Sequence, residues 1–211
     1  MRERTRQSSD LRRQAQPDAR LATKADRLRL IDILTTAFAA DPMVEHITGV
    51  ESGCDASRRA IFTAEVDRYL AFEKTFVSGN GQGAATWAHS SERRYPWWEQ
   101  PAALLGCVRF SGVRGIPRAL AAYRAAEEHH PAEGHYYLAS IGVWPGSHGS
   151  GAGSQLVNSM LRRTDAEGIP TYLECSKPEN VRFYERLGYH TVSRFSFGPG
   201  GPPVAGMWRS A

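Results

Sequence analysis

The segment of the sequence best suited to chemistry is a glycine-rich turn, His148-Gly149-Ser150-Gly151-Ala152-Gly153. It follows a segment typical of a buried strand, which ends at Val143, and precedes one with the apolar spacing of a helix. Glycines leave backbone amides unhindered, and the start of a helix carries a partial positive charge. The turn therefore predicts a site for an anion such as phosphate, although glycines also serve simply to close tight turns.

Two standard phosphate motifs do not describe this turn. No Lys-Ser or Lys-Thr pair follows the glycines, so a P-loop is excluded. The preceding strand also lies late in the chain and does not open a dinucleotide-binding unit with an acidic ribose ligand downstream. An anion at this turn must be bound in some other way.

A second pair of polar residues lies on a helical segment further along the chain. Asn180 precedes Tyr184 by four residues, so both side chains project from one face of that helix. The phenol of Tyr184, with an ordinary pKa of about 10, can donate a proton. The alternatives are that Asn180 caps the helix and that Tyr184 packs like Phe183.

Proton acceptors are less distinct. Glu133, His135 and Tyr137 alternate along the segment before the turn and so share one face of the expected strand. Glu174 lies on the next expected strand. Glu133, His135 or Glu174 could assist a water relay, and each could equally be a solvated residue or a member of a surface ion pair. The sequence leaves the general base open.

No metal site is expected. His129 and His130, with His135 nearby, are conceivable ligands, but two adjacent histidines before Pro131 are more typical of a solvated helix end. The three cysteines are widely spaced and odd in number, which favours free thiols in a reducing compartment. These cysteines are Cys54, Cys107 and Cys175.

The apolar pattern places these residues on alternating strands and helices. Helices are expected from a cap at Thr23 to the Asp41-Pro42 dipeptide, from Asp55 onward, and over 151–167 and 179–187. Strands are expected over 19–22, 75–77, 83–88, 135–143, 171–175, 191–197 and 204–208, with a tight turn at Asn80-Gly81. This alternation predicts an α/β fold with an antiparallel end.

The segment between Ser90 and Pro131 has a different composition. Two alanine-rich helical stretches, 102–110 and 117–129, follow the tryptophans at 97 and 98. We interpret the segment as a helical insertion before the central strand of the sheet.

The bulk properties indicate a soluble globular protein of 211 residues, with 41% apolar and 23% charged residues. Residues 1–17 are expected to form a disordered polar tail without a secretion signal, and 18–211 a single domain in the cytoplasm. No apolar run approaches the roughly 20 residues of a membrane span. Much of the net charge of +4 lies in the tail, which argues against nucleic acid as a partner.

Three segments together resemble the GCN5-related N-acetyltransferase (GNAT) family: Ile141-Gly142-Val143, the glycine turn, and residues 180–189. The puromycin N-acetyltransferase branch is similar over further segments. These segments are residues 20–26, 37–42, 137–143 and 173–176.

The resemblance implies a GNAT fold, a central mixed sheet flanked by helices, that transfers an acetyl group directly from acetyl-CoA to a primary amine, without a metal. It implies that residues 148–153 (His148, Gly149, Ser150, Gly151, Ala152 and Gly153) hold the coenzyme A pyrophosphate. His148 stands where the family has glutamine or arginine. The resemblance further implies that the backbone of Ile141, Gly142 and Val143 and the side chain of Asn180 contact the pantetheine, and that Tyr184 is the general acid.

The acceptor is expected to be a small molecule, puromycin-like or another amino compound, and the protein a monomer or homodimer. Residues 41–46, the helix after Asp55, and a group of aromatic and acidic residues are expected around the acceptor. That group comprises Trp87, Trp97, Trp98 and Glu99, although Trp87 could equally be part of the core. Two alternatives remain, a protein N-terminal or lysine acetyltransferase and a catalytically silent CoA-binding module.

Overall fold

The computed structural model of the chain describes residues 18–48, 55–93 and 100–211, and only the backbone of 100–114. Its strands are β1 (Arg20–Leu21), β2 (Phe76–Val77), β3 (Gly83–His89), β4 (Tyr136–Val143), β5 (Thr171–Cys175), β6 (His190–Ser196) and β7 (Pro203–Arg209). Its α-helices are α1 (Arg27–Ala37), α2 (Pro42–Thr48), α3 (Asp55–Leu70), α4 (Ser90–Arg93), α5 (Gln100–His129), α6 (Ala152–Glu167) and α7 (Pro178–Glu185).

The strands form one sheet in the order β1-β2-β3-β4-β5-β7-β6. Neighbouring strands are antiparallel except for β4 and β5, which are parallel. The sheet is therefore mixed, with its parallel pair at the centre. This confirms the predicted α/β class and the predicted strands, whose observed ends differ from the expected ones by no more than a few residues.

Helices cover both faces of the sheet. On one face, Leu156 and Met160 of α6 pack with Trp87, Leu138 and Leu173 of the sheet. On the other face, α1 and α3 pack against β2 and β3 in a second apolar cluster, which includes Leu30, Leu34, Phe62, Val66 and Ala84. The predicted arrangement of a central sheet flanked by helices is confirmed.

Among the described residues, α2 is a helix that the sequence did not predict. The helix expected to end at Asp41-Pro42 ends earlier, at Ala37, and Pro42 begins α2. Proline suits the first position of a helix because its missing N–H would have no partner there. Asp41 caps the new helix, since its Oδ1 accepts hydrogen bonds from the amides of Met43 (3.0 Å) and Val44 (3.3 Å).

The prediction of two helical stretches in the insertion is wrong. The backbone forms one continuous helix, α5, with Pro117 inside it. An internal proline removes one backbone hydrogen bond and usually kinks or breaks a helix. Here packing opposes that tendency, because Ala122 is buried against Phe197 and Val204 near the sheet edge. The insertion does lie before the central strand, as predicted.

The two parallel strands separate along their length, and this separation creates the site. β4 pairs with β5 only from Tyr136↔Thr171 to Leu138↔Leu173. At that point β4 also bulges, because Thr86 pairs with Ser140 and Trp87 with Leu138, which leaves Ala139 as an extra residue. Beyond the bulge, β4 continues beside β3 while its other edge is no longer paired with β5.

Within the ranges that the structure describes, no helix is both long enough and apolar enough to cross a membrane.

Candidate active site

A cavity of about 760 Å³ lies where β4 and β5 separate. Both strands, the glycine turn, the first residues of α6 and the face of α7 form its walls. Nearly all of the predicted site residues line it. They are Ile141, Gly142, Val143, His148, Gly149, Gly151, Ala152, Gly153, Asn180 and Tyr184.

Ser150 is the one predicted site residue that does not line the cavity. Its hydroxyl accepts a hydrogen bond from the amide of Ala152 (3.3 Å), so it stabilises the turn from within. Ser154, one helical turn further on, lines the cavity, and the sequence analysis did not single it out.

The glycines of the turn are required by backbone conformation. Gly149 (φ 77°) and Gly151 (φ 89°) both have left-handed backbones, and a Cβ at either position would meet no atom within 4 Å. Gly151 is also the N-cap of α6. The turn thus places the first residues of α6, whose amides have no acceptor within the helix, in the cavity wall.

The chemistry of this wall fits an anion such as a pyrophosphate. A helix start with unpartnered amides attracts negative charge. Lys177 and Arg186 also line the cavity and add positive charge.

Gly142 serves a different purpose. A Cβ at this position would lie 2.6 Å from the Cβ of Ala37 and 3.3 Å from Leu34. The glycine therefore lets α1 approach the unpaired part of β4 closely, and α1 in turn places Phe38 and Asp41 in the cavity wall.

Tyr184 is buried, with 7% of its surface exposed, and lies in the cavity wall. Its ring packs against Phe183 and Tyr189. Burial raises the pKa of Tyr184, and the nearby Cys175, Tyr189 and Asp41 reinforce the shift. The phenol therefore stays protonated at neutral pH, in the form that can donate a proton.

Asn180 lies in the first turn of α7, but the N-cap of that helix is Lys177. The amide of Asn180 donates to the carbonyl of Lys177 (2.9 Å). The N-cap position considered for Asn180 is therefore occupied by Lys177, and Asn180 lines the cavity.

Asp41 is a carboxylate in the cavity wall with only 2% of its surface exposed. Besides capping α2, it accepts a hydrogen bond at Oδ2 from the hydroxyl of Ser176 (3.1 Å). Lys177 Nζ lies 3.9 Å from the same oxygen. Of the expected acceptor segment 41–46, Asp41 and Met43 line the cavity.

The candidate bases occupy three different environments. Glu133 is exposed and lies away from the cavity. His135 is fully buried behind the cavity wall. Glu174 lines the cavity, and its Oε2 accepts a hydrogen bond from the hydroxyl of Tyr137 (3.1 Å).

The prediction of a solvated histidine pair is wrong for His130. His129 is exposed, but the side chain of His130 is only 8% exposed and its Nε2 lies 3.0 Å from Nε2 of His135. The reason is that the chain leaves α5 at this point and returns to the sheet, which packs His130 against Tyr137 and Tyr172. The sequence signal that pointed to this cluster was the recurrence of histidines at 130 and 135.

The remaining acceptor candidates are not in the cavity wall. Trp87 is completely buried in the core and does not line the cavity. The helix after Asp55 is α3, which packs against α1, and its residues do not line the cavity either. Trp97, Trp98 and Glu99 lie outside the described residues. Among the residues that are described, no group of three or more His, Cys, Asp or Glu side chains is placed to hold a metal ion.

Two bacterial relatives share sequence with this chain. The mycothiol acetyltransferase of Streptomyces scabiei is 32% identical over 121 residues, which make up 56% of this chain and 37% of that protein. The mycothiol acetyltransferase of Streptomyces avermitilis is 30% identical over 113 residues, 52% of this chain and 34% of that protein. The chain thus spans about a third of the length of these curated relatives.

Solved structures are similar over almost the whole chain. A Corynebacterium glutamicum protein described as a histone acetyltransferase and related acetyltransferase has a TM-score of 0.70 and 25% identity, covering 93% of this chain and 97% of that one. The Drosophila melanogaster polyamine N-acetyltransferase has a TM-score of 0.65 and covers 92% and 99%, and at 15% identity it shows the fold alone.

The model of the acetyltransferase (GNAT) family matches residues 63–189, which is more than half of the chain. The matched region includes the diverging strands, the glycine turn and the helix with Tyr184. By this match the chain belongs to the acetyltransferase (GNAT) family.

Proposed function

We propose that the protein transfers an acetyl group from acetyl-CoA to a primary amine of a small molecule. The observation that carries the proposal is that one cavity collects the glycine turn, the unpaired part of β4 and the buried phenol of Tyr184. GNAT enzymes use acetyl-CoA, and the relatives named as mycothiol acetyltransferases favour a small acceptor.

The cavity divides into two parts with different roles. The turn at 148–153 and the first amides of α6 would hold the pyrophosphate. The free edge of β4 at Ile141 and Val143 would pair with the pantetheine as with an added strand, with Asn180 on the opposite wall. When bound there, acetyl-CoA supplies an activated acyl thioester.

Tyr184 would protonate the departing thiolate. Its raised pKa keeps the phenol protonated at neutral pH, so a proton is available at the cavity wall when the C–S bond breaks.

The acceptor end of the cavity favours a cation. Asp41 and Glu174 place two buried carboxyl groups in the wall, and Phe38 and Met43 add apolar surface. An acceptor that carries an ammonium group on a largely apolar body fits this lining. The puromycin-like acceptor expected from the resemblance is one compound class with these properties.

The proposal is tested by thiol release from acetyl-CoA with a panel of aminonucleosides, aminoglycosides, polyamines and amino acids. For the best acceptor, we expect Tyr184→Phe to lower kcat about 100-fold with little change in the KM for acetyl-CoA. The matched control is Tyr189→Phe, because Tyr189 is equally buried but does not line the cavity. Binding of coenzyme A without turnover of any amine would support the catalytically silent alternative instead.

A further inference from the structure

Two buried histidines behind the cavity wall have a defined arrangement of protons. Nδ1 of His135 lies 2.6 Å from the carbonyl oxygen of Glu133. A carbonyl can only accept a hydrogen bond, so this Nδ1 carries a proton. Burial lowers the pKa of His135 to about 4, so the ring is neutral near pH 7 and its Nε2 has a lone pair. The 3.0 Å contact between the two Nε2 atoms then requires His130 to donate from Nε2.

With that Nε2 proton in place, Nδ1 is the nitrogen of His130 left to accept a proton. It faces Oε1 of Glu174 at 3.7 Å, and the two side chains are 8% and 7% exposed. Neither atom has a hydrogen-bond partner among the described residues. Two buried acceptors that face each other without partners form a site that can take up one proton.

Glu174 connects this pair to the cavity, whereas both carboxylate oxygens of Asp41 already accept hydrogen bonds from other residues. Glu174 lines the cavity and uses only Oε2, as the acceptor for Tyr137. Both oxygens of Asp41 accept hydrogen bonds, Oδ1 from the start of α2 and Oδ2 from Ser176. Of the two carboxylates in the acceptor end, Glu174 is the one with a free oxygen for a proton.

We propose that Glu174 is the general base for the acceptor amine and that His130, oriented by His135, receives the proton from it. The inference rests on the proposed function, because it assigns a step of the same reaction.

The proposed step begins at the acceptor ammonium and ends with one proton released to solvent. An N–H bond of the acceptor ammonium breaks, its electron pair stays on nitrogen, and the proton passes through Glu174 to Nδ1 of His130. The amine then forms the C–N bond to the thioester carbonyl, and the C–S bond breaks. The thiolate takes the phenol proton of Tyr184. The second N–H proton leaves as the amide forms and restores the phenol, and His130 releases the first proton to solvent.

The other groups around His130 suit this role. Tyr172 of β5 and Tyr137 of β4 pack against its ring, and burial raises the pKa of both phenols, so they stay neutral. Arg93 of α4 stacks over Tyr137, but it is paired with Glu127. Glu174 is therefore the carboxylate that faces His130 directly.

The first test is the pH dependence of kcat/KM for His130→Gln, with His129→Gln as the matched control on the exposed neighbour. We expect His130→Gln to lower kcat/KM about 100-fold at pH 7. The loss should shrink to about threefold at pH 10, where the free amine no longer needs a base. His129→Gln should follow the wild type throughout. A profile of His130→Gln parallel to the wild type, or an equal loss in the control, overturns the proposal.

Two further measurements distinguish a failure of this proposal from misfolding of the variant and from a failure of the proposed function. Glu174→Gln keeps the shape of the side chain, and if His130→Gln does not fold, as judged by circular dichroism, it should show the same pH-dependent loss. The ¹⁵N spectrum of the histidine rings in the wild-type protein needs no turnover. We expect the proton of neutral His130 on Nε2 and that of His135 on Nδ1, and the reverse assignment overturns the proposal even if no amine is acetylated. Absence of turnover in the wild type, with the expected tautomers, contradicts the proposed function alone.

Discussion

Asp41 shows how one buried side chain serves both the fold and the cavity. Its Oδ1 caps α2 while its Oδ2 faces Ser176 and Lys177 in the cavity wall. Removing a capping carboxylate leaves helix amides without an acceptor, which costs about 1–2 kcal/mol. Removing a buried negative charge also weakens the attraction for an ammonium group.

We therefore expect Asp41→Ala to lower the free energy of unfolding by about 2 kcal/mol and to raise the KM of the amine. Urea denaturation measures the first effect, and steady-state kinetics with varied amine measures the second. Asp67→Ala is the control, because Asp67 forms a half-exposed pair with Arg27 that solvent screens. Equal losses of stability in the two variants would show that the cap at α2 contributes little.

At the scale of the elements, the start of α6 combines a conformational requirement with a binding role. Gly151 and Gly168, at the two ends of this helix, both have left-handed backbones, with φ of 89° and 67°. A Cβ at either position would meet open space, so alanine at either should cost a similar strain of about 1 kcal/mol. Only Gly151 lines the cavity.

We expect Gly151→Ala to weaken binding of coenzyme A about tenfold or more, because the strained turn no longer directs the first amides of α6 into the cavity. Gly168→Ala should lower stability to a similar extent and leave the affinity unchanged. Isothermal titration calorimetry and thermal unfolding of both variants make the comparison. Equal affinities of the two variants for coenzyme A would show that the turn is not part of the binding site.

Much of the fold could be predicted from the sequence, because strands and glycine turns have strong local patterns. β5 has the predicted bounds, and the glycine turn lies between β4 and α6 as expected. The continuous α5 could not be predicted, because Pro117 and the glycines around it are breaking signals that only packing against β6 and β7 overrides. The burial of His130 was missed for a related reason, since it depends on where the chain returns to the sheet.

The candidate site also has a part that the sequence could predict and a part that it could not. The residues that would bind acetyl-CoA are close together in sequence and on regular elements, so the resemblance to the GNAT family could single them out. The base could not be chosen, because Glu174, His130 and His135 come from β5, the end of α5 and the start of β4. Their contact exists only in the folded sheet.

At the scale of the whole molecule, burial of His135 makes the stability of the fold depend on pH. Burial lowers its pKa from 6.5 to about 4. Between these values the unfolded chain binds a proton that the folded protein excludes, so stability rises with pH and is lost as pH falls through this window.

We expect the wild type to lose about 2 kcal/mol of stability from this source between pH 7 and pH 4.5. His135→Gln should be less stable at pH 7, because it disturbs the contacts with Glu133 and His130, but its stability should change less over the same window. His190→Gln, on the exposed surface of β6, should keep the wild-type slope. Urea denaturation at the two pH values measures all three slopes. An unchanged slope in His135→Gln would mean that His135 binds its proton in the folded protein, and the proton arrangement inferred for His130 would then fail with it.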